Sequence, residues 1–228
     1  LLASTATKVA VYLLARYLFG VFGIHRGVGP VSIADALMVL SIAAMVAASL
    51  AAIFQNDIKR LLAFSSVAQI GYITLGISLA NPAGLTGGIV HIVNHATMKA
   101  ALFLAIGAMV YRVGSAKLSD LAGIGPRMPI TTAVFVIAGL ALIGAPGTSG
   151  FVSKWYLAIG ALDKGLWPLV LMIFASSLLA VVYVRRVIEA AWFRPARGAT
   201  LAARDPPLSM LVPMVVLAVL CVWFGLDT

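Results

Sequence analysis

Long apolar runs separated by short polar segments make up almost the whole chain. Seven of these runs have about the 20 residues that a helix needs to cross a bilayer. They cover residues 1–23, 32–54, 61–80, 85–111, 130–162, 166–193 and 208–226. This pattern predicts an all-α, polytopic transmembrane helical bundle with about seven spans and no soluble domain.

The fifth run is long and is interrupted near its middle. Its segment Gly144–Gly150 contains three glycines and Pro146, and both residue types break helices. We therefore expect two half-helices joined by an unwound stretch. Unwound backbone at membrane depth is tolerated only where it lines a cavity or is buried in protein. Such broken helices form ion sites in many transporters.

Composition supports a membrane protein. Hydrophobic residues make up 62% of the chain and charged residues 10%, whereas soluble domains are about half apolar and a quarter charged. The single cysteine, Cys221, excludes an internal disulfide. The sequence shows no nucleotide-binding loop, dinucleotide fingerprint, iron–sulfur cysteine pattern or nucleophile elbow. We therefore expect no cofactor and no redox or hydrolytic site in this chain.

The net charge of +9 reflects membrane topology, and we expect no nucleic-acid binding. Basic residues concentrate in the loops after the second, fourth and sixth runs, whereas the other loops hold only Arg26 and Lys164. The positive-inside rule places the basic loops in the cytoplasm. We therefore expect a multi-pass protein of the cell inner (plasma) membrane, with Leu1 on the cytoplasmic side and Thr228 outside.

Three lysines, Lys8, Lys99 and Lys154, lie within apolar runs. A lysine at the bilayer centre costs about 2.5–3.5 kcal/mol on insertion scales. Lys99 lies too deep to reach water easily, so we expect it to face a protein-lined interior. Burial disfavours the charged form of an amine, which makes its protonation switchable. Lys154 follows the helix break and has the alternative of snorkelling to the membrane surface.

His91, His95 and Lys99 follow one another at intervals of four residues, so they form one stripe on a helix. Two imidazoles leading to a buried amine would make a proton wire. The alternative is a structural stripe that forms hydrogen bonds across a helix interface. We expect no metal, because neither cysteine nor an intramembrane carboxylate is available to complete a zinc site.

Lys8, Tyr12 and Arg16 repeat the same spacing in the first run. Arg16 is too strong a base to exchange protons, so it would be an electrostatic or structural partner. Lys59 lies at a predicted cytoplasmic boundary. The next run carries a polar face that either lines a water path or packs against another helix. This face consists of Ser65, Ser66, Gln69 and Tyr72.

Four segments resemble the antiporter-like membrane subunits of respiratory complex I and, more closely, the D subunit of Mrp-type sodium/proton antiporters. They are TKVAVYLLAR, QNDIKRLLAFSSVAQIGY, HIVNHATMKAALFL and GAPGTSGFVSKWYLAIGAL. The resemblance extends over about residues 1–195. It implies a family fold of fourteen helices with two inverted repeats of five, of which this chain would hold helices eight to fourteen. We then expect one partial transmembrane domain over residues 1–228, with an N-terminal part missing and the second repeat present.

The resemblance also implies a function, namely proton or cation/proton translocation. Lys8 would link two half-channels, and His91, His95 and Lys99 would carry protons across the membrane centre. Lys154 on the broken helix would exchange protons with the outside. The supporting residues would be Tyr12, Arg16, Lys59, Gly144, Pro146 and Gly150.

The implied partners are other membrane subunits of a multisubunit antiporter or respiratory complex, within the lipid bilayer, with H⁺ and Na⁺ as candidate ions. The sequence leaves open whether the complex is a NADH:quinone oxidoreductase-like translocase. The alternative is a non-conducting structural subunit of the same kind of complex.

Overall fold

A computed structural model describes residues 2–24, 27–28 and 31–227 and shows a bundle of α-helices in these ranges. The helices are α1 (Leu2–Tyr17), α2 (Ile33–Ile53), α3 (Ile58–Leu79), α4 (Pro82–Val113), α5 (Pro129–Ile143), α6 (Ser149–Asp163), α7 (Trp167–Phe193) and α8 (Leu208–Leu226). A π-helical turn, Leu18–Phe22, extends α1, and Gly198–Ala202 forms a 3₁₀ turn. Two short antiparallel strands, β1 (Gly27–Val28) and β2 (Val31–Ser32), precede α2. Arg26 and the chain ends Leu1 and Thr228 lie outside the described residues.

The seven predicted runs correspond to these helices. Five of them, α2, α3, α4, α7 and α8, are long and apolar enough to cross a membrane by length and composition. The first run is α1 with its π-helical turn, and the fifth is divided into α5 and α6, each of 15 residues. The prediction of an all-α, multi-pass membrane protein is thereby confirmed.

Short polar side chains fix where several helices begin. The carboxylate of Asp57 accepts hydrogen bonds from the first free backbone amides of α3, and Ser32 forms a capping box at α2. Asn81 caps α4, and Pro82 occupies its first turn, where a missing N–H costs nothing. Because of this cap, α4 has 32 residues and begins before the predicted run 85–111.

Helix α4 occupies the centre of the bundle and contacts α1, α3, α5, α6 and α8. Facing glycines bring two of these neighbours close. Gly88 of α4 lies against Gly76 of α3, and a Cβ added to Gly160 of α6 would lie 2.5 Å from the backbone nitrogen of Gly84. Polar residues on several faces of α4 are consequently buried inside protein.

The loops that follow α2, α4 and α7 meet at one end of the bundle. The backbone nitrogen of Ile58 donates to the carbonyl of Ala116 at 2.9 Å. Thr200 Oγ1 donates to the carbonyl of Asp120 at 2.7 Å, and Arg186 reaches the carbonyl of Gln55 at 3.3 Å. These are the three basic loops of the sequence, so they share one side of the membrane. That this side is the cytoplasm stays a prediction.

Candidate functional site

A cluster of buried polar side chains lies inside the bundle among α3, α4, α6 and α7. The stripe predicted on α4 is at its centre, because His91, His95 and Lys99 are each fully buried. Lys154 of α6 is 6% exposed. The structure therefore places these four predicted residues in the protein interior.

Both ring nitrogens of His91 have partners on neighbouring helices. Nδ1 lies 2.7 Å from Ser153 Oγ, and Nε2 lies 2.9 Å from Gln69 Oε1. The amide nitrogen of Gln69 donates in turn to the carbonyl of Leu142 at 3.5 Å. Because Gln69 Oε1 can only accept, Nε2 of His91 must carry a proton. In the neutral ring the Ser153 hydroxyl then donates to Nδ1; when the ring is charged, that hydroxyl can donate to the carbonyl of Gly150, 3.2 Å away.

His95 stacks on His91, with ring centroids 6.1 Å apart and planes inclined by 17°. Within the described part of the chain, neither ring nitrogen of His95 has a hydrogen-bond partner. Buried polar groups are nearly always bonded, and an unsatisfied one costs about 1–3 kcal/mol. A purely structural stripe does not explain this imidazole. The described residues also contain no group of three or more His, Cys, Asp or Glu side chains arranged to hold a metal ion.

The amine of Lys99 reaches α3. Nζ donates to the carbonyl of Leu62 at 2.8 Å and to the hydroxyl of Ser65 at 2.5 Å. It also lies 5.9 Å from the centre of the Phe103 ring. No carboxylate among the described residues pairs with Lys99. A fully buried amine without a counter-ion is costly when charged.

Lys154 lies at the helix break, where its Nζ donates three hydrogen bonds. They go to the carbonyls of Ile143 at 2.7 Å and Leu142 at 3.2 Å, and to Ser177 Oγ at 2.9 Å. The amine also lies 4.6 Å from the centre of the Tyr72 ring. The two carbonyls belong to the last turn of α5, where the helix dipole favours a cation. Lys154 therefore points into the protein and does not snorkel.

The predicted break is present, since α5 ends immediately before Gly144 and α6 begins immediately before Gly150. Gly144 has φ +88°, and a Cβ there would lie 2.9 Å from Cδ of Lys154. A Cβ on Gly150 would overlap the carbonyl oxygen of Ala141. Pro146 and Lys154 both line a cavity of about 360 Å³ beside the break. The glycines thus create the space in which the amine lies.

Other predicted residues lie apart from this cluster. Lys8 is buried on α1, which packs against α3 and α4. Tyr12 and Arg16 are exposed, and the Arg16 guanidinium donates to the Tyr12 hydroxyl at 3.3 Å. Lys59 is exposed in the first turn of α3. The structure therefore places Tyr12, Arg16 and Lys59 at the surface and not in the buried cluster.

Sequence reasoning missed two serines and the role of Gln69. Ser153 bonds His91, Ser177 bonds Lys154, and Gln69 connects His91 to the end of α5. The polar face of α3 was recognised, but its partner was not. The one available signal is that Ser153 directly precedes Lys154. The contacts themselves join residues far apart in the chain.

The chain matches known proteins over most of its length. The family described as NADH:quinone oxidoreductase/Mrp antiporter, transmembrane, matches residues 1–180. The N subunit of the NADH-quinone oxidoreductase of Desulforudis audaxviator is 41% identical over 99% of this chain and 47% of its own length. A probable K⁺/H⁺ antiporter protein of Rhizobium meliloti is 32% identical over 98% of the chain and 22% of its own length.

Solved structures show the same fold. A chain of the Mrp complex from Dietzia sp. DQ12-45-1b superposes with a TM-score of 0.86 at 28% identity, over 97% of this chain and 48% of that one. The chain thus spans about half the length, or less, of these relatives. The relatives come from both respiratory and antiporter complexes, so a specific likeness to the D subunit of Mrp antiporters stays a prediction. The sequence match and the shared fold together show that the chain belongs to the NADH:quinone oxidoreductase/Mrp antiporter transmembrane family.

Proposed function

We propose that this chain translocates protons, or exchanges a cation for protons, as one subunit of a membrane complex. The observation that carries this proposal is the pair of buried amines, Lys99 and Lys154. Neither pairs with a carboxylate among the described residues, and polar groups of α3 and α4 lie between them. Such intramembrane ionisable groups are costly and typically mark ion pathways.

The order of the buried titratable side chains supports a route between the two amines. Lys99, His95 and His91 follow one another along α4. Gln69 holds Nε2 of the His91 ring and donates to the carbonyl of Leu142, which also accepts a hydrogen bond from Lys154, so it positions the ring beside Lys154. The proton itself would leave His91 at Nδ1, towards Ser153, the residue next to Lys154 on α6. A proton would pass along this route as the imidazoles change protonation state and partners.

Charge repulsion would make the sites act in sequence. Two positive charges in a medium of low polarity repel each other strongly, so a proton on one amine disfavours protonation of the next. Lys8, buried on the adjacent α1, would link this set to a further half-channel. This role follows from the family resemblance and from its burial.

The partners and orientation are part of the same proposal. The relatives named above are components of larger complexes, so we propose that other membrane subunits surround this chain in a lipid bilayer. The ions would be H⁺ and, in an antiporter, Na⁺ or K⁺. The basic loops would face the cytoplasm of a cell whose plasma membrane holds the complex, which places the C-terminal end of α8 outside.

A non-conducting structural subunit is the second candidate. It is favoured by the hydrogen bonds of Lys154 to the last carbonyls of α5, since a cation there also stabilises a helix end. In that case the charge of Lys154 would matter and its ability to release a proton would not.

The test uses inverted membrane vesicles that contain the intact parent complex. The vesicles are energised to build a pH gradient, Na⁺ or K⁺ is added, and the gradient is followed optically. Lys99→Ala is compared with wild type and with Lys164→Ala, which removes an exposed lysine at the end of α6. We expect collapse of the gradient in wild type and Lys164→Ala but not in Lys99→Ala.

If adding Na⁺ or K⁺ does not collapse the gradient in wild type, the same vesicles are supplied with an electron donor that reduces quinone. Proton uptake that is lost only in Lys99→Ala would then identify a redox-driven translocase. Equal proton movement in wild type and Lys99→Ala, with normal assembly, would overturn the proposal and leave the structural role.

A further inference from the structure

A polar cavity of about 800 Å³ lies at the end of the bundle where the loops after α2, α4 and α7 meet. None of the residues in the cluster of buried polar side chains described above lines this cavity. Its walls carry four cationic side chains, Arg60, Lys117, Arg186 and Arg194, and one carboxylate, Asp57. The cavity therefore has a strong excess of positive charge.

The nearby carboxylates are engaged elsewhere. Asp57 Oδ1 accepts the backbone N–H groups of Lys59 and Arg60 at 2.9 and 3.0 Å, as the cap of α3. Asp120 accepts hydrogen bonds from Ser115 at 2.6 Å and Ser119 at 3.0 Å. These hydroxyls hold the pKa of Asp120 below its usual value, with the Ser115 bond as the largest cause. The charge of Lys117 contributes to the same pKa shift, but less than the two hydroxyls. The hydrogen bonds of both carboxylates thus lie within their own loops.

Two of the four cations, Arg186 and Arg194, have only weak partners. Arg186 donates to the carbonyl of Gln55 and to Oδ1 of Asn56, both at 3.3 Å, and these acceptors are neutral. Arg194 lies 3.8 Å from Glu189 in the one salt bridge formed among the described residues. Both side chains are about half exposed, so this pair contributes little. The cavity can therefore accept an anion without first breaking a strong ion pair.

Apolar surface continues from the cavity along the bundle. Phe54 at its rim is 78% exposed, and Leu50, one turn earlier on the same face of α2, is 43% exposed. Val182, one turn before Arg186 on α7, is 42% exposed. Since Phe54 and Arg186 line the cavity and α2 and α7 contact each other, exposed apolar side chains adjoin the charged cavity on both helices.

We propose that this cavity binds the phosphodiester headgroup of an anionic phospholipid, whose acyl chains lie along the apolar surface of α2 and α7. Guanidinium groups match phosphate oxygens in bidentate geometry, and basic pockets at the ends of transmembrane helices suit acidic headgroups. Leu50 and Val182 are exposed on candidate membrane spans and therefore face acyl chains, and the exposed Phe54 directly follows the span that holds Leu50. The cations of the adjoining cavity then lie at the level of the headgroups, where a phosphodiester can reach them while its acyl chains stay in the bilayer.

The experiment measures lipid binding to the purified parent complex in detergent by native mass spectrometry. The probes are phosphatidylglycerol, phosphatidylcholine and inorganic phosphate. The variants are Lys117→Gln and the double variant Lys117→Gln/Arg186→Gln. Arg185→Gln is the matched control, because Arg185 is an exposed neighbour of Arg186 on α7 that does not line the cavity. Lys117 is exposed, so the single variant should leave the fold intact.

We expect phosphatidylglycerol to bind about fivefold more weakly for each cation removed. Its binding should be unchanged in Arg185→Gln, and phosphatidylcholine binding should be the same in all variants. Excess inorganic phosphate should not displace the lipid. Equal phosphatidylglycerol affinity in all variants would overturn the proposal. The proposal would also be overturned if the double variant bound lipid normally but lost a neighbouring protein from the complex. In that case an acidic protein segment would be the occupant of the cavity. Displacement by phosphate would assign the cavity to a free anion.

Discussion

Gln69 shows how one uncharged side chain fixes the state of a buried histidine. Its amide nitrogen points to the carbonyl of Leu142, so its oxygen must face His91. An acceptor in that position keeps a proton on Nε2 of the ring and leaves Nδ1 for Ser153. Any proton that moves along the cluster would therefore enter or leave His91 on the Ser153 side.

Replacing Gln69 with Leu should lower both transport and stability. The change removes the partner of a fully buried nitrogen, which costs about 1–3 kcal/mol of stability; the same amount added to the barrier for proton transfer would lower the flux roughly 5- to 150-fold. Proton flux and thermal stability are measured on the same purified complex.

The control is Ser78→Ala, which removes a buried hydroxyl bonded only within α3, to the carbonyl of Leu75. We expect near-normal flux from this variant. Normal flux in Gln69→Leu would show that the orientation of His91 is not important.

At the scale of elements, the interruption between α5 and α6 is the feature that sequence predicts best. Its glycines and proline lie within seven residues of the chain, so the local sequence alone predicts a break in the helix. The residues that surround Lys154 at the break cannot be predicted in this way. Ser177 of α7 and Tyr72 of α3 complete the surroundings of Lys154, and no short-range pattern connects either residue to the break.

Gly144→Ala tests whether the break exists to accommodate Lys154. The residue has φ +88°, and a Cβ would press on the lysine side chain. We expect a stability loss of about 1–3 kcal/mol from backbone strain, together with a clear loss of proton flux. Thermal unfolding and flux of the purified complex give the two quantities.

Gly114→Ala separates these effects. Gly114 ends α4 with φ +80°, and no heavy atom lies within 4 Å of a Cβ at this position. It should lose stability to a similar degree and keep its flux. If both variants retained full flux, the position of Lys154 at the break would not limit transport.

At the scale of the whole molecule, the apolar runs specify the helices and the loop charges specify which loops share a side. The contacts among the loops after α2, α4 and α7 agree with that pattern. Tyr12, Arg16 and Lys59 show the limit of this reasoning. Spacing puts Tyr12 and Arg16 on the face of Lys8, but it does not show that Lys8 is buried and the other two are exposed, because only tertiary packing decides which part of a helix face is covered.

The orientation can be tested with two single-cysteine variants, Lys117→Cys and Lys164→Cys, in a Cys221→Ala background. Both lysines are exposed at opposite ends of the predicted topology. A membrane-impermeant maleimide should label residue 117 in inverted vesicles and residue 164 in right-side-out vesicles. The reverse pattern would invert the topology proposed from the positive-inside rule.

The proposed function requires that Lys154 exchanges a proton and does not only cap α5. Lys154→Arg distinguishes the two roles, because arginine keeps a cation at the helix end but cannot be deprotonated in a protein. Lys154→Met removes both the charge and the proton. Proton flux is measured in proteoliposomes containing the parent complex, with assembly and thermal stability checked in each sample.

We expect Lys154→Arg to assemble with stability near wild type and to lose at least about tenfold in proton flux, as Lys154→Met does, since intramembrane ionisable residues mark proton relays. Wild-type flux in Lys154→Arg, with flux and stability lost together in Lys154→Met, would contradict proton exchange at Lys154 and assign this residue a structural role.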